Sequence, residues 1–167
     1  MFTAHTYKRA GEYSGEVLGT VTLSHDERHL RRKVLTTDTE VKVLFEVADA
    51  VSFDEGDAIE TEGGTFVVIK AAVEPLYEVK ARDALHHAQL CWHLGNRHLP
   101  SQIELDRIVI LKDHVIKEML EGLGATITEI EGAFSPVRGA YHKSNRSSSH
   151  SHSHGHSHHH SHDHSHD

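Results

Sequence analysis

The sequence predicts an α+β protein with three parts: a small β domain, a domain in which strands and helices alternate, and a disordered histidine-rich tail. Three observations support this prediction. Short stretches before residue 74 alternate apolar with polar residues, which is typical of half-buried strands. After Pro75, strand patterns alternate with two amphipathic helix patterns. From His150 onwards the chain contains ten histidines and no apolar residue, so it cannot build a core. We expect the parts to span residues 1–74, 75–142 and 143–167.

The first part is predicted to be a small sandwich or open barrel. Strand patterns run from Val17 to Leu23, from Val41 to Val47 and from Phe66 to Val73, with the turn sequences DEGD and EGG between them. Several short strands at such spacing favour this architecture. The basic stretch HLRRKVL is interpreted as a solvated strand or turn face, and a partner-binding surface is the less favoured alternative.

The second part is predicted to have the order βαββαβ, which is the ferredoxin-like pattern. Pro75 marks its start. Asp83 can cap a first helix that extends to Leu94, and Asp113 can cap a second helix that Gly124 closes. The four predicted strands are LYEVKA, 102–105, 107–111 and ATITEIEG.

Both helices are amphipathic in the sequence. The second helix is expected to bury Val115, Ile116, Met119, Leu120 and Leu123, and the first to bury Ala84, Leu85, Ala88, Cys91 and Trp92. The helix histidines, His86, His87 and His93, are expected to be surface residues. A ligand role is not favoured for them, because His86 and His93 lie about 10.5 Å apart along the axis and cannot share one ion without other help. Cys91 is the only cysteine, which excludes an internal disulfide and a cysteine-based zinc cluster. We expect a structural thiol.

The tail is predicted to bind divalent metal. Neutral imidazole suits nickel, zinc, copper and iron, and His-x-His places both rings on one face of an extended chain. An expression tag would normally be an unbroken histidine run, and a plain linker would not use histidine. The tail interleaves histidine with Ser, Gly and Asp, which favours a native metal-binding segment. The candidate ligands are His150, His152, His154, His156, His158, His159, His160, His162, His164 and His166.

Two histidines outside the tail are further candidate ligands. His98 lies in GNRHLP, a short constrained loop between a helix end and a proline. A hydrogen-bonding role is the alternative for His98, and the two interpretations are near parity. His114 follows Asp113 at a helix N-terminus, where the helix dipole favours neutral imidazole. For His114 the interpretation as a surface residue is slightly preferred.

Composition limits the remaining possibilities. The formal net charge of −8 argues against nucleic-acid binding. No signal peptide opens the chain, and no apolar stretch approaches a bilayer span, so we expect a soluble cytoplasmic protein with no membrane role. No zinc-protease, phosphate-loop, nucleophile-elbow or dinucleotide motif is present, so an enzyme is not expected.

At this point the residues resemble a known family. CWHLGNRHLP, ILKDHVIKEMLEGLGA and FSPVRGAY, followed by a histidine-rich tail, resemble the UreE family of urease accessory nickel metallochaperones. LSHDERHLRRKVLTT and EGDAIETEGGTFVVIKAAVEPLYEV match more loosely. The resemblance covers nearly the whole chain in order.

The resemblance implies a homodimer, with a partner-binding β domain before a ferredoxin-like metal-binding domain. It places His98 of each subunit at a shared interfacial site. Some members have a second metal site before the second helix; here Asp113 and His114 remain, whereas Lys112 occupies the first ligand position.

The implied function is delivery of Ni²⁺ to the urease apoprotein complex, together with the urease accessory GTPase. Zn²⁺ or Cu²⁺ can also bind such ligands. The alternative is a histidine-rich nickel or zinc store without a delivery role. A metal-dependent enzyme using His98 and His114 is disfavoured because it lacks an acid–base partner, and a metal-responsive regulator is disfavoured by the negative charge.

Overall fold

The computed structural model describes residues 1–140. Within them it contains eleven strands, two α-helices and one short 3-10 helix at Asp26–Arg28. The strands of the first half are β1 (Phe2–Ala4), β2 (Thr6–Lys8), β3 (Val17–Leu23), β4 (His29–Thr36), β5 (Lys42–Ser52), β6 (Ala58–Glu60) and β7 (Phe66–Ala71). The second half contains β8 (Val73–Lys80), α1 (Ala84–Asn96), β9 (Gln102–Ile103), β10 (Ile108–Leu111), α2 (His114–Gly122) and β11 (Thr126–Ala133).

Two mixed sheets form the amino-terminal domain. One has the strand order β1-β5-β4 and the other β2-β6-β7-β3. Alternate residues of the strands point inward, and side chains from both sheets meet in one apolar cluster. Its fully buried members include Ala4, Val43, Phe45, Ile59, Val67 and Ile69. The domain is therefore a small sandwich, which confirms one of the two predicted architectures.

The carboxy-terminal domain has a single antiparallel sheet of order β11-β8-β10-β9. Its first and third strands are central, and its second and fourth lie at the edges. This is the ferredoxin-like arrangement, and the predicted βαββαβ order is confirmed. The predicted helix caps are also confirmed: Asp83 accepts a hydrogen bond from the amide of His86, and Asp113 accepts from the amides of Val115 and Ile116.

The sheet has two covered faces. On one face, Tyr77 and Val79 of β8 and Ile108 and Ile110 of β10 pack against both helices. Alternation then turns the next residues to the other face. There, Leu76, Val109 and Phe134 form a separate buried cluster.

The prediction of which face of α1 is buried is wrong. Leu85 is 70% exposed and Trp92 is 64% exposed, whereas the face that packs on the sheet carries His86, Leu90 and Leu94. The sequence shows an apolar stripe on α1, but apolar content alone does not determine whether such a stripe packs against the protein's own core. In α2, Leu120 is fully buried as expected, but Val115, in the first turn, is 59% exposed.

Candidate metal centre

His98 lies just after the C-terminus of α1, in a hydrogen-bonded helix end. The amide of Leu99 donates to the carbonyl of Leu94, and the amide of His98 donates to the carbonyl of Gly95. These two bonds define a Schellman motif in which His98 is the residue directly after the cap. Leu94 and Leu99 both pack in the helix–sheet core, which supplies the apolar contact that accompanies this motif.

The backbone of His98 is left-handed, with a φ of +56°. This position of a Schellman motif is usually glycine, because a Cβ atom is crowded in the left-handed region. The second helix has the same ending: the amide of Ala125 donates to Leu120, that of Gly124 donates to Glu121, and Gly124 has a φ of +87°. The domain therefore uses glycine at one helix end and histidine at the other.

The imidazole of His98 is available to a ligand. The residue is exposed, and within residues 1–140 its ring forms no hydrogen bond or ion pair. Its loop is held in place by the Schellman bonds and by Ser101, whose hydroxyl donates to the carbonyl of Leu99 at 3.1 Å. The backbone of His98 is therefore fixed, while its ring is not engaged within residues 1–140.

His114 is the first residue of α2 and is also exposed. The neighbouring carboxylate of Asp113 is used as the helix cap, and Lys112 forms an ion pair of 3.1 Å with Glu129. No cluster of three or more His, Cys, Asp or Glu side chains able to hold a metal exists in the part of the chain that is described. Neither His98 nor His114 is therefore part of a group of three such side chains among the described residues.

His86 has a structural role that the sequence interpretation missed. It is 3% exposed rather than on the surface. Its Nδ1 accepts from the amide of Arg82 at 3.1 Å, and its Nε2 lies 2.8 Å from the carbonyl of Leu123, to which it donates. Both ring nitrogens are engaged, so no lone pair is left for a metal. His86 joins the start of α1 to the end of α2.

Cys91 packs against the helix–sheet core, as the sequence predicts for a structural thiol. Burial raises the pKa of this thiol, which favours the protonated form over the metal-binding thiolate. The remaining helix histidines, His87 and His93, are partly exposed, and the His93 ring contacts the Trp92 ring edge-on.

The candidate ligands of the tail lie outside the described residues. They are His150, His152, His154, His156, His158, His159, His160, His162, His164 and His166.

Comparison with known proteins places the chain in a family. Residues 5–72 match the model of the UreE urease accessory protein N-terminal domain, and residues 74–166 match that of the C-terminal domain. The chain belongs to the UreE family of urease accessory proteins. The UreE resemblance of the sequence is thereby confirmed, and the chain has a urease accessory role.

Individual UreE proteins are similar over most of the chain. The urease accessory protein UreE of Agrobacterium fabrum (strain C58 / ATCC 33970) is 51% identical over 142 residues, which cover 85% of this chain and 88% of the relative. That of Rhizobium rhizogenes (strain K84 / ATCC BAA-868) is 52% identical over 137 residues, or 82% of each chain.

Neither helix of the described residues combines the length and the apolarity that a membrane span requires.

Proposed function

We propose that this UreE protein is a nickel metallochaperone that binds Ni²⁺ as cargo and delivers it during assembly of the urease metal centre. The proposal rests on the backbone conformation of His98 and on its unengaged imidazole. The fold holds this residue in a left-handed conformation that glycine would adopt more easily, and leaves its imidazole free. Retained backbone strain beside an unused ligand atom is typical of a functional site.

A homodimer would complete the site. A residue beside a two-fold axis meets its own copy, so two His98 side chains supply two imidazoles to one ion. The helix that precedes His98 carries an exposed apolar stripe, with Leu85 and Trp92 largely in solvent. Such a stripe on a helix suits packing against a second copy. Two imidazoles leave coordination positions open, and an incomplete shell suits a carrier that must release its ion.

The tail histidines would fill the open positions. The amide of Val137 donates to the carbonyl of Ser101 at 2.9 Å, three residues after His98 in the sequence. Water or tail imidazoles can then complete the shell. Cu²⁺ and Zn²⁺ compete for such nitrogen ligands, so nickel loading depends on availability and on the receiving partner.

The receiving partners in this proposal are the urease apoprotein complex and the urease accessory GTPase, in the cytoplasm. The amino-terminal sandwich offers one partner-binding surface: the edge strand β4 carries Arg31, Arg32 and Lys33, all exposed. An exposed basic strand edge suits an acidic segment of a partner.

The competing candidate is a nickel or zinc store, and the ten tail histidines favour it. Transfer separates the two. Nickel-loaded protein is mixed with urease apoprotein complex and the GTPase, and both urease activation and nickel remaining on the chain are measured. A chaperone loses nickel to the complex as activity appears, whereas a store retains it.

Calorimetric titration with nickel tests the site itself. We expect His98→Ala to remove nearly all tight binding from protein truncated after Lys143, and to leave most of the capacity of the full-length chain. Equal tight binding with and without His98 in the truncated protein would make the interfacial assignment wrong, and His114 or His142 would become the next candidate.

A further inference from the structure

Each domain has a long edge strand that carries charge, and the two charges are opposite. β4 is the outer strand of the sheet β1-β5-β4, and β11 is the outer strand of the sheet β11-β8-β10-β9; each strand is eight residues long. Arg31, Arg32 and Lys33 of β4 are exposed, and so are Glu129 and Glu131 of β11. Neither outer edge pairs with another strand among the described residues, so each edge can accept a further strand.

The hydrogen-bond pattern of β4 determines which of its amides point outward. The amide of Thr37 donates to the carbonyl of Val41, and β4 continues along β5 in the same register as far as Arg32. Bonded and non-bonded pairs alternate along an antiparallel ladder. The amides of Arg32 and Val34 therefore point away from β5. Within residues 1–140 neither amide has a hydrogen-bond acceptor.

The outward amides of β11 follow from the same alternation. The amide of Glu104 donates to the carbonyl of Arg107 in the hairpin that joins β9 and β10. When alternate pairs are followed from this bond across β10 and β8, the amides of Ile127 and Glu129 point away from β8. These two amides also lack an acceptor in the described part of the chain. Both edges therefore offer backbone donors that bond either water or another strand.

An antiparallel register that joins these outward amides also matches the side chains. It places Arg32 opposite Glu129 and Val34 opposite Ile127, and it places Glu131 diagonally across from Arg32. Val34 is 50% exposed and Ile127 is half-buried, so their contact covers apolar surface. The two edges are therefore complementary in backbone, charge and apolar contact.

The charges favour contact between unlike edges and oppose contact between like edges. Charged side chains on an edge strand usually prevent association. Two copies of β4 repel each other, and so do two copies of β11, whereas β4 of one copy attracts β11 of another. Within one copy, Arg32 pairs only with exposed Glu46, and Glu129 only with exposed Lys112. Such surface pairs contribute little, so they compete weakly with a new contact.

We propose that β4 of one copy pairs with β11 of a second copy as an antiparallel extension of both sheets, and that the chain self-associates through this contact without metal. The inference does not depend on nickel binding. A contact between two different surfaces generates either a closed ring or an open chain of copies. The β4 edge is also the edge that the proposed function offers to a partner, so an acidic partner segment would compete with the second copy.

Sedimentation velocity of the full-length protein tests the association. A chelator removes metal, and a pH of about 8 keeps the imidazoles of the histidine tail neutral. We expect larger assemblies at about 0.01 M salt, where the Debye length is about 30 Å, than at about 1 M salt, where it is about 3 Å. The same size at both salt concentrations, up to the highest protein concentration that stays in solution, would refute the proposal.

Charge reversal tests which edges meet. Glu129→Lys with Glu131→Lys makes both edges basic, and Arg31→Glu with Arg32→Glu makes both edges acidic. We expect each double variant to associate about tenfold more weakly, or less, because attraction becomes repulsion. The chain with all four substitutions has opposite edges again and the wild-type net charge of −8, and it should regain association. Failure of the fourfold variant to regain association would overturn the pairing of these two edges.

Glu118→Lys with Glu121→Lys is the matched control for net charge. Both residues are exposed on α2, and the variant changes the net charge as much as the β11 double variant does. It should associate as the wild type does. An equal loss of association in this control would show that net charge alone drives the effect, and the proposal would then be wrong.

Hydrogen exchange distinguishes strand pairing from a contact between side chains. The wild type is compared at low salt with the Glu129→Lys, Glu131→Lys variant. We expect the outward amides of Val34 and Ile127 to exchange about tenfold more slowly in the wild type, because pairing encloses them in a ladder. The amides of Lys33 and Thr128 already point into their own sheets, and their exchange should not change. Association without slower exchange at Val34 and Ile127 would mean that another surface joins the copies.

Discussion

Replacing His98 by glycine should make the protein more stable while it removes the proposed metal ligand. A left-handed conformation costs a residue with a Cβ about 1–2 kcal/mol. Glycine avoids this cost, but its unfolded chain is freer, which takes back about 0.4–1 kcal/mol. Because the ring of His98 is exposed and forms no bond within residues 1–140, little packing is lost. The net gain for metal-free His98→Gly is about 0.5–1 kcal/mol, or about 1–4 °C in melting temperature.

The assay is chemical denaturation of metal-free protein, paired with nickel titration of protein truncated after Lys143. Glu40→Gly is the matched control, because Glu40 is the other non-glycine residue with a positive φ in residues 1–140, at +61°. It should gain similar stability and keep its nickel binding. Gly124→Ala should lose stability, since the added Cβ takes on the same strain and approaches the Arg82 guanidinium.

The reasoning is refuted if metal-free His98→Gly is less stable than wild type by about 1 kcal/mol or more, because His98 would then contribute packing that outweighs its strain. A stabilised variant that still binds nickel tightly after truncation would keep the strain argument and overturn the ligand assignment.

Three further predictions follow from the same structure. Truncation after Lys143 should leave a folded dimer with fewer bound nickel ions, since the described apolar clusters lie before residue 138. Calorimetry measures the bound nickel and size-exclusion chromatography measures the dimer, and loss of dimerisation would contradict the prediction. Nickel binding should fall steeply between about pH 7 and pH 5, because imidazole, with a reference pKa of about 6.5, must be neutral to ligate; full retention at pH 5 would point to carboxylate ligands. Hydrogen bonds from the Thr20 amide and hydroxyl hold the pKa of Asp38 below its usual value. Its carboxylate therefore stabilises the fold at neutral pH, and this contribution is lost as the pH falls below about 4. In Asp38→Asn the free energy of unfolding should depend less on pH in this range, and an unchanged pH profile would contradict this.

Local signals in the sequence predicted most of the fold. Asp83 and Asp113 cap their helices, and Gly124 ends the second helix, because capping depends on residues within one turn. The strand order follows from the βαββαβ pattern, since few topologies suit it. The orientation of α1 could not be read in the same way. A stripe containing Leu85 and Trp92 is equally apolar whether it faces the sheet or another surface.

Polar contacts between residues far apart in the chain could not be predicted from the sequence. Arg28 directly precedes the basic stretch HLRRKVL, and no sequence pattern marks it as buried, yet it is buried against Phe134, 106 residues away. His86 looks like a surface histidine, yet it is buried because Arg82 and Leu123 satisfy both ring nitrogens. In each case the partner is a backbone group, which any residue type supplies, so no residue pattern marks it. For His98, the sequence predicts a loop after the end of a helix but does not predict the left-handed backbone.

The two helix ends show why histidine can occupy one of them and not the other. A Cβ on Gly124 would lie 2.3 Å from Arg82 Nη1 and 3.8 Å from His86 Cε1, because the end of α2 packs against the start of α1. At the end of α1, by contrast, His98 is exposed among the described residues. A side chain after α2 would therefore meet both strain and a clash, whereas one after α1 meets strain alone, a cost of about 1–2 kcal/mol that a folded domain can carry. Of the two endings, only that of α1 can present an imidazole to solvent from a rigid backbone.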